Sequence, residues 1–180
     1  MLLFERFDRI HTQRIPFLSA MSMLGARDND THSYLEVVDV LRQHGASVQD
    51  DLEELWRRIV FYILISNTDD HLRNLGFLYE GSDGWRLSPA YDLNPVPVEV
   101  KPRVLTTNIT WDDGAASLDR AMEVADYFKL STNRARGIIK QVGRAVAGWR
   151  KEAAKLGIEK SEQKVMASAF EHDDLRRASR

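Results

Sequence analysis

A mainly helical fold of the α+β class, carrying one small β-hairpin near its middle, is what this sequence predicts. Three observations lead there. Apolar residues recur at helical spacing over most of the chain. A single turn-rich cluster, Glu80-Gly81-Ser82-Asp83-Gly84, is flanked by two short runs of β-formers. The proline-dense stretch that follows, with four of the five prolines between residues 88 and 102, can be neither helix nor strand.

The elements follow in chain order. Residues 2–7 (Leu2-Leu3-Phe4-Glu5-Arg6-Phe7) are rich in β-formers and read as a strand. Residues 14–25 read as a brief helix ended by Gly25, and Asp28-Asn29-Asp30 as a turn. Leu35, Val37, Val38, Val40 and Leu41 form a helical stripe over residues 34–44, closed by Gly45. Residues 51–66 give the strongest helix, capped by Asp50 or Asp51. Its apolar face widens from Leu52, Leu55 and Trp56 to a nearly all-round apolar end at Ile63 and Leu64, as expected of a buried central helix. Residues 74–79 and 85–87 are the two strands of the hairpin. Three more helices are expected over 118–128, 132–156 (capped by Ser131 or Thr132, stopped by Gly157) and 161–177.

Composition narrows the function. The 180 residues are 43% hydrophobic and 29% charged, with 25 basic against 27 acidic side chains and a net charge of −2. That balance gives no support for a protein that coats nucleic acid or an anionic membrane. The absence of cysteine excludes disulfides, zinc–thiolate sites, iron–sulfur clusters and cysteine nucleophiles. The longest apolar run, residues 59–65, is too short to cross a bilayer, and the charged N-terminal segment lacks the apolar core of a signal peptide. A soluble, cytoplasmic protein is the expectation.

The chemistry concentrates in Asn67-Thr68-Asp69-Asp70-His71-Leu72-Arg73-Asn74 and, after the hairpin, Tyr91-Asp92. Phosphoryl transfer needs one carboxylate to orient or deprotonate the attacking hydroxyl, and an amide plus a second carboxylate to hold magnesium against the phosphates. Kinases place an aspartate, an asparagine five residues later, a hairpin and a second aspartate in that order. Asp69 and Asn74 stand at that spacing, and Asp92 follows the hairpin; Asp70 fits the spacing less well and is read as a flanking acid.

These residues resemble the active-site signature of the HipA family of toxin kinases. That family carries threonine-aspartate-glycine-histidine, a variable residue, lysine and asparagine, and then, after a hairpin, a leucine, serine or threonine, proline and tyrosine-aspartate. Here the matching positions are Thr68 to Asn74 and Leu87-Ser88-Pro89-Ala90-Tyr91-Asp92. Phe4-Glu5-Arg6-Phe7-Asp8-Arg9 is similar to the family's hinge strand, which meets the adenine. The resemblance implies a helical kinase C-lobe over residues 11–180 with a hinge strand over 1–10. It implies transfer of the ATP γ-phosphoryl group to a protein serine or threonine, with Mg2+. Carried over by position, Asp69 is the catalytic base and Arg73, a lysine in the family, neutralises phosphate charge. Glu5, Phe7, Asp8, His71, Asn74 and Tyr91 contact the nucleotide, and Asn74 and Asp92 hold magnesium. A DNA-binding antitoxin is the implied partner, an aminoacyl-tRNA synthetase the implied substrate class, and no direct contact with nucleic acid or membrane is implied.

Two departures stand out. The family glycine is Asp70 here, which would add a charge beside the loop. No glycine-rich phosphate loop precedes residue 69, and the first lysine is Lys101. The phosphate-covering N-lobe is therefore expected to be absent from this chain, with a separate N-lobe chain as one source. Two alternatives follow: a non-catalytic lobe that binds an antitoxin or N-lobe partner, and a metal-dependent hydrolase built on Asp69-Asp70-His71.

Overall fold

The computed structural model of the chain describes residues 6–27 and 30–180. It is an α+β structure in which helices surround one long buried helix and a small antiparallel sheet lies against one side. The elements are β1 (Arg9–Ile10), β2 (Gln13–Arg14), β3 (Phe17–Ser19), α1 (Ala20–Leu24), α2 (Tyr34–His44), α3 (Val48–Ile65), β4 (Gly76–Tyr79), β5 (Trp85–Leu87), α4 (Leu118–Glu123), α5 (Thr132–Ala147), α6 (Trp149–Lys155), α7 (Lys160–Val165), α8 (Ala167–Phe170) and α9 (Asp173–Ala178). Among the described residues, no helix is long and apolar enough to cross a membrane.

α3 is the axis of the core. Leu52, Leu55, Trp56, Ile59, Val60, Ile63 and Leu64 on it are fully buried, and α2, α4, α5, α8 and α9 all pack around it. The Trp56 indole, buried, donates to the Ala121 carbonyl at 3.0 Å, so its one polar atom is satisfied. α3 begins at Val48, ahead of the expected residue 51, so neither Asp50 nor Asp51 caps it; both lie in its first turn. Asp51 has a different task. It is buried, accepts from the Arg86 guanidinium at 2.9 Å and from the Leu87 N–H at 3.3 Å, and so fastens the return strand of the hairpin to the central helix.

The other differences from expectation have local causes. Residues 14–25 are mostly extended: β3 pairs antiparallel with β4, and only Ala20–Leu24 is helical, between the Ser19 cap and left-handed Gly25. The hairpin is therefore two strands of a three-stranded sheet ordered β3-β4-β5. Residues 1–5 of the expected N-terminal strand, and Asp28 and Asn29 of the expected turn, lie outside the described residues; Arg6 and Phe7 are not in a strand. The helix expected over 118–128 ends at Glu123, in turns that bury Phe128. The long helix expected over 132–156 breaks at Gly148, where the chain turns and Trp149 stacks flat on Phe170 with ring centroids 4.5 Å apart. The last expected helix is three short ones, and α9 starts where His172 caps it by accepting from the Leu175 N–H.

Arg103 ties the end of α3 to the C-terminal helices. Its guanidinium donates to the Ile63 carbonyl at 3.0 Å, to the Ser66 hydroxyl at 3.1 Å and to the Asp174 carboxylate at 3.0 Å, and the same carboxylate accepts from the Leu118 N–H at 3.1 Å. Removing the guanidinium strands a largely buried carboxylate, which costs about 3 kcal/mol. Arg103→Met should lower the melting temperature by about 6–12 °C for a domain of this size. A change below about 2 °C would show that the clamp contributes nothing.

Candidate functional site

The site is built where α3 ends. Ser66 closes the helix in the left-handed conformation, φ 53°, with its N–H on the Ile63 carbonyl and the Asn67 N–H on that of Tyr62. Ser66 is buried and donates its hydroxyl to the Ala169 carbonyl at 2.8 Å. The polar loop that follows therefore leaves a fixed point.

Three residues downstream of the hairpin hold this loop, Lys101, Thr106 and Thr107. Thr106 donates its hydroxyl to the Thr68 carbonyl at 2.9 Å and its N–H to the Asp70 carboxylate at 2.6 Å. Thr107 donates its hydroxyl to the Asp70 carbonyl at 2.7 Å. Lys101 adds its ammonium to the Thr68 carbonyl at 2.5 Å. Both neighbours of Asp69 are thus pinned, and Asp69 itself is left exposed at the apex. The loop closes on itself at the spacing the sequence marked: the Asn74 side-chain amide donates to the Asp69 carbonyl at 3.1 Å, and the Asn74 N–H donates to His71 at 2.8 Å.

Asp70 is not the flanking acid that its spacing suggested. Its side chain turns inward, is buried, and accepts from the Tyr34 hydroxyl at 2.5 Å. The charge that replaces the family glycine faces the core rather than the site. Burial pushes the Asp70 carboxyl up to about 6, against the opposing pull of the Tyr34 hydroxyl and the Thr106 N–H. Burial and the neighbouring Asp70 charge also raise the Tyr34 hydroxyl well above its ordinary value, so Tyr34 remains a donor.

The chain on both sides of Asp92 is tied to the loop that carries Asp69 and Asn74. On one side of it, the Tyr91 hydroxyl donates to the Arg73 carbonyl at 2.7 Å; on the other, the Asn94 N–H donates to the Asn67 side-chain oxygen at 3.3 Å. The Asn94 amide also donates to one Asp92 carboxylate oxygen at 2.8 Å. Asp92 is exposed and left-handed, φ 55°, a conformation that costs most side chains about 1 kcal/mol or more and that aspartate tolerates better than most.

An aromatic group borders the loop. The rings of Phe7, Phe17 and Tyr91 lie 5.8 to 6.4 Å from one another. Phe17 reaches this position because Gly76, its neighbour in the sheet, has no side chain: a Cβ there would come within 2.3 Å of the Phe17 ring. Asp8 follows Phe7; the Arg6 guanidinium on its carboxylate at 2.6 Å holds it down at about 2. Glu5 lies outside the described residues. His71 is half-buried, and among the described residues no group hydrogen-bonds to its buried Nδ1. Arg73 is exposed, with its guanidinium 3.8 Å from the Met21 sulfur.

The structure thus brings Asp69, Asn74, Tyr91 and Asp92 to one loop cluster, with His71 and Arg73 on the loop and Phe7 beside it. The sequence reading missed Tyr34, Thr106, Thr107 and Lys101 as holders of the loop, Phe17 as part of the aromatic group, and Asn94 as the partner of Asp92. Only Phe17, a β-former two residues before a helix cap, left any signal. Among the described residues there is no group of three or more histidines, cysteines and acids placed to hold a metal ion.

The fold and loop carry the marks of one family. Residues 1–149 match the HipA-like C-terminal domain, and the chain belongs to that family. It is similar, at 30% identity over 86 residues, to a Haemophilus influenzae protein named "Putative kinase"; the match covers 48% of this chain and 24% of that protein. Its fold is similar to a chain of the Shewanella oneidensis MR-1 toxin–antitoxin complex of HipA, HipB and operator DNA, with a TM-score of 0.73 over 97% of this chain and 46% of that one, at 16% identity. The chain spans less than half the length of either protein.

Asp70 gives a direct test of the loop's anchoring. Its folded-state carboxyl value lies above the ordinary 3.8, so the fold favours the protonated form. Its contribution to stability is greatest below about pH 4 and is lost as pH rises through about 6. Asp70→Asn should flatten the stability–pH curve between pH 4 and 6.5, measured by urea unfolding. A variant whose curve keeps the parent's slope there would show that Asp70 is not the buried titrating group.

Proposed function

We propose that this chain is the nucleotide- and magnesium-holding lobe of a HipA-type serine/threonine kinase that transfers the γ-phosphoryl group of ATP to a protein hydroxyl. The observation that carries the reading is the loop itself: Asp69 is exposed between two pinned neighbours, and Asp92 stands between Tyr91 and Asn94, which bond to Arg73 and Asn67 of the same loop. Membership of the HipA-like family supports it.

In this reading Asp69 orients the acceptor hydroxyl and takes its proton. Among the described residues no hydrogen bond holds its carboxylate, which suits a group that must reach a substrate. Asn74 spends its amide N–H on the loop and keeps its side-chain oxygen for an ion; Asp92 keeps one carboxylate oxygen beyond the bond from Asn94. One amide oxygen and one carboxylate suit magnesium, which prefers oxygen donors and retains several waters. When bound, the ion would neutralise the phosphates' charge. Phe7, Phe17 and Tyr91 offer the apolar surface for adenine, Asp8 would face the ribose, and Glu5 would present backbone to the base. His71 and Arg73 lie where the phosphates would pass, with Arg73 supplying charge in place of the family's lysine.

No glycine-rich phosphate loop stands before Asp69 in these 180 residues, and in this reading a phosphate-loop lobe, in the same protein or in a partner chain, would cover the phosphates. Residues 1–10 would then be the hinge into that lobe. By analogy with the Shewanella complex, a DNA-binding antitoxin would be the partner; a cytoplasmic setting and an aminoacyl-tRNA synthetase as substrate are further expectations of the family reading.

The test is nucleotide binding by the 180-residue chain. Mg·ATP at about a hundredfold over its dissociation constant should add about 2.7 kcal/mol, a rise in melting temperature of about 5 °C or more. Asp92→Asn, which keeps the left-handed backbone and removes the charge, should abolish the magnesium-dependent part of the rise. No rise at millimolar Mg·ATP in the parent, or the same rise in the variant, contradicts the assignment.

A further inference from the structure

Apolar side chains are left in solvent at the corner between α6 and α7. Leu156, which closes α6, is 81% exposed, and Ile158, two residues on, is 41% exposed. They border an open recess of about 420 Å3 whose walls include Pro95, Trp149, Met166 and Phe170. A second recess, of about 670 Å3, adjoins it, since Ile158 and Gln163 line both. The second is charged: Arg150, Lys151, Glu159 and Lys160 are among its walls. Asp69, His71, Arg73, Asn74, Tyr91 and Asp92 line neither recess. Single exposed apolar residues are ordinary, but several around one concavity mark a docking place.

This exposure is built into the corner. Gly157, left-handed at φ 79°, turns the chain, and the Ile158 N–H returns to the Ala153 carbonyl at 3.0 Å. Glu159 and Glu162 close a capping box at the start of α7. The buried Gln163 donates its side-chain amide to the Ile158 carbonyl at 2.8 Å. Leu156 and Ile158 are thus held outward against the tendency of apolar surface to leave water. The charges nearby are unevenly met. The Arg150 guanidinium is taken by Glu171 at 2.7 Å, and Glu159 is spent on its cap. Glu152, on the wall of the apolar recess, takes Lys155 at 2.7 Å. Among the described residues no carboxylate pairs with Lys151 or Lys160. An apolar recess with two unmet ammonium groups at its edge complements apolar side chains flanked by carboxylates.

We propose that the α6–α7 corner is a docking groove for an acidic, amphipathic segment of a partner protein. Apolar side chains of that segment fill the recess against Leu156, Ile158 and the stacked rings of Trp149 and Phe170, and its carboxylates reach Lys151 and Lys160. A nucleic-acid backbone would meet the two ammonium groups and leave the apolar recess empty. A bilayer is entered by convex apolar faces rather than by a concave wall. Most of the groove lies beyond residue 149, outside the span matched to the HipA-like domain. It uses no residue of the proposed nucleotide site, so it stands or falls apart from the kinase reading.

The experiment is a titration of the 180-residue chain against two fluorescein-labelled synthetic amphipathic peptides, one of leucine and glutamate, the other of leucine and lysine, followed by fluorescence anisotropy. The glutamate peptide should bind saturably and about tenfold or more tighter than the lysine peptide. Leu156→Asp should weaken that binding about tenfold or more. Lys151→Glu combined with Lys160→Glu should reverse the preference, so that the lysine peptide binds the tighter. All three side chains are exposed, so the melting temperature should stay within about 2 °C of the parent in both variants. Absence of saturable binding by the glutamate peptide overturns the proposal, as do equal binding of the two peptides and undiminished binding in Leu156→Asp. Leu156-dependent sedimentation with phosphatidylserine vesicles also overturns it, since the corner would then meet a membrane. So does a dimer, seen by light scattering, that Leu156→Asp dissolves, since a second copy would then be the occupant.

Discussion

The constraint on which the rest of the site depends is the buried carboxylate of Asp70. It accepts from Tyr34 on α2 and from the backbone of Thr106, and so locks the loop after α3 to two segments that are remote in sequence. Burying a carboxylate is unfavourable, and here the cost is met only in part by hydrogen bonds, as the raised carboxyl value records. What the expense secures is position. With Asp70 turned inward and buried, Asp69 beside it is the exposed residue of the stretch.

The second feature is the way the Asp92 segment is tied. Three hydrogen bonds fix it, from Tyr91 to Arg73, from Asn94 to Asn67, and from the Val96 N–H to the Ser66 carbonyl at 3.1 Å. Each reaches a different part of the loop, so the two arms of the site cannot slide past one another without losing all three. The sheet sets the distance between them: β4 leaves the loop, β5 returns, and Asp51 and Arg58 on α3 hold the returning end through Leu87 N–H and the Ser88 carbonyl. The left-handed backbone at Asp92 is the local strain that this over-determination sustains.

Much of this was legible in the residues, and the reasons differ from element to element. α2 and α3 declare themselves because one face of each is buried, which imposes a period on the apolar residues. The five-residue step from Asp69 to Asn74 is legible because it is a local closure, here the bond from the Asn74 amide to the Asp69 carbonyl. Asp70 misleads because spacing cannot tell which way a side chain points. β3 was hidden inside a stretch that ends in a true helix, and its strand state comes from pairing with β4, a partner nearly sixty residues away. Residues 103–117 leave no periodic mark because scattered backbone bonds, such as Leu105 N–H to the Gly114 carbonyl, and side-chain-to-backbone bonds, rather than a repeating ladder, hold them. The helix expected over 132–156 runs through Gly148; in the structure it breaks there, where Trp149 stacks on Phe170.

The claim that unites these observations is that one divalent ion sits between Asn74 and Asp92. It is tested most directly by crystals of the chain grown with Mn2+ and a non-hydrolysable ATP analogue, with anomalous scattering used to locate the metal. The account predicts a manganese peak about 2 Å from the Asn74 side-chain oxygen and an Asp92 carboxylate oxygen, with the adenine against Phe17 and Tyr91. A peak elsewhere, or nucleotide bound with no metal touching either residue, would contradict it.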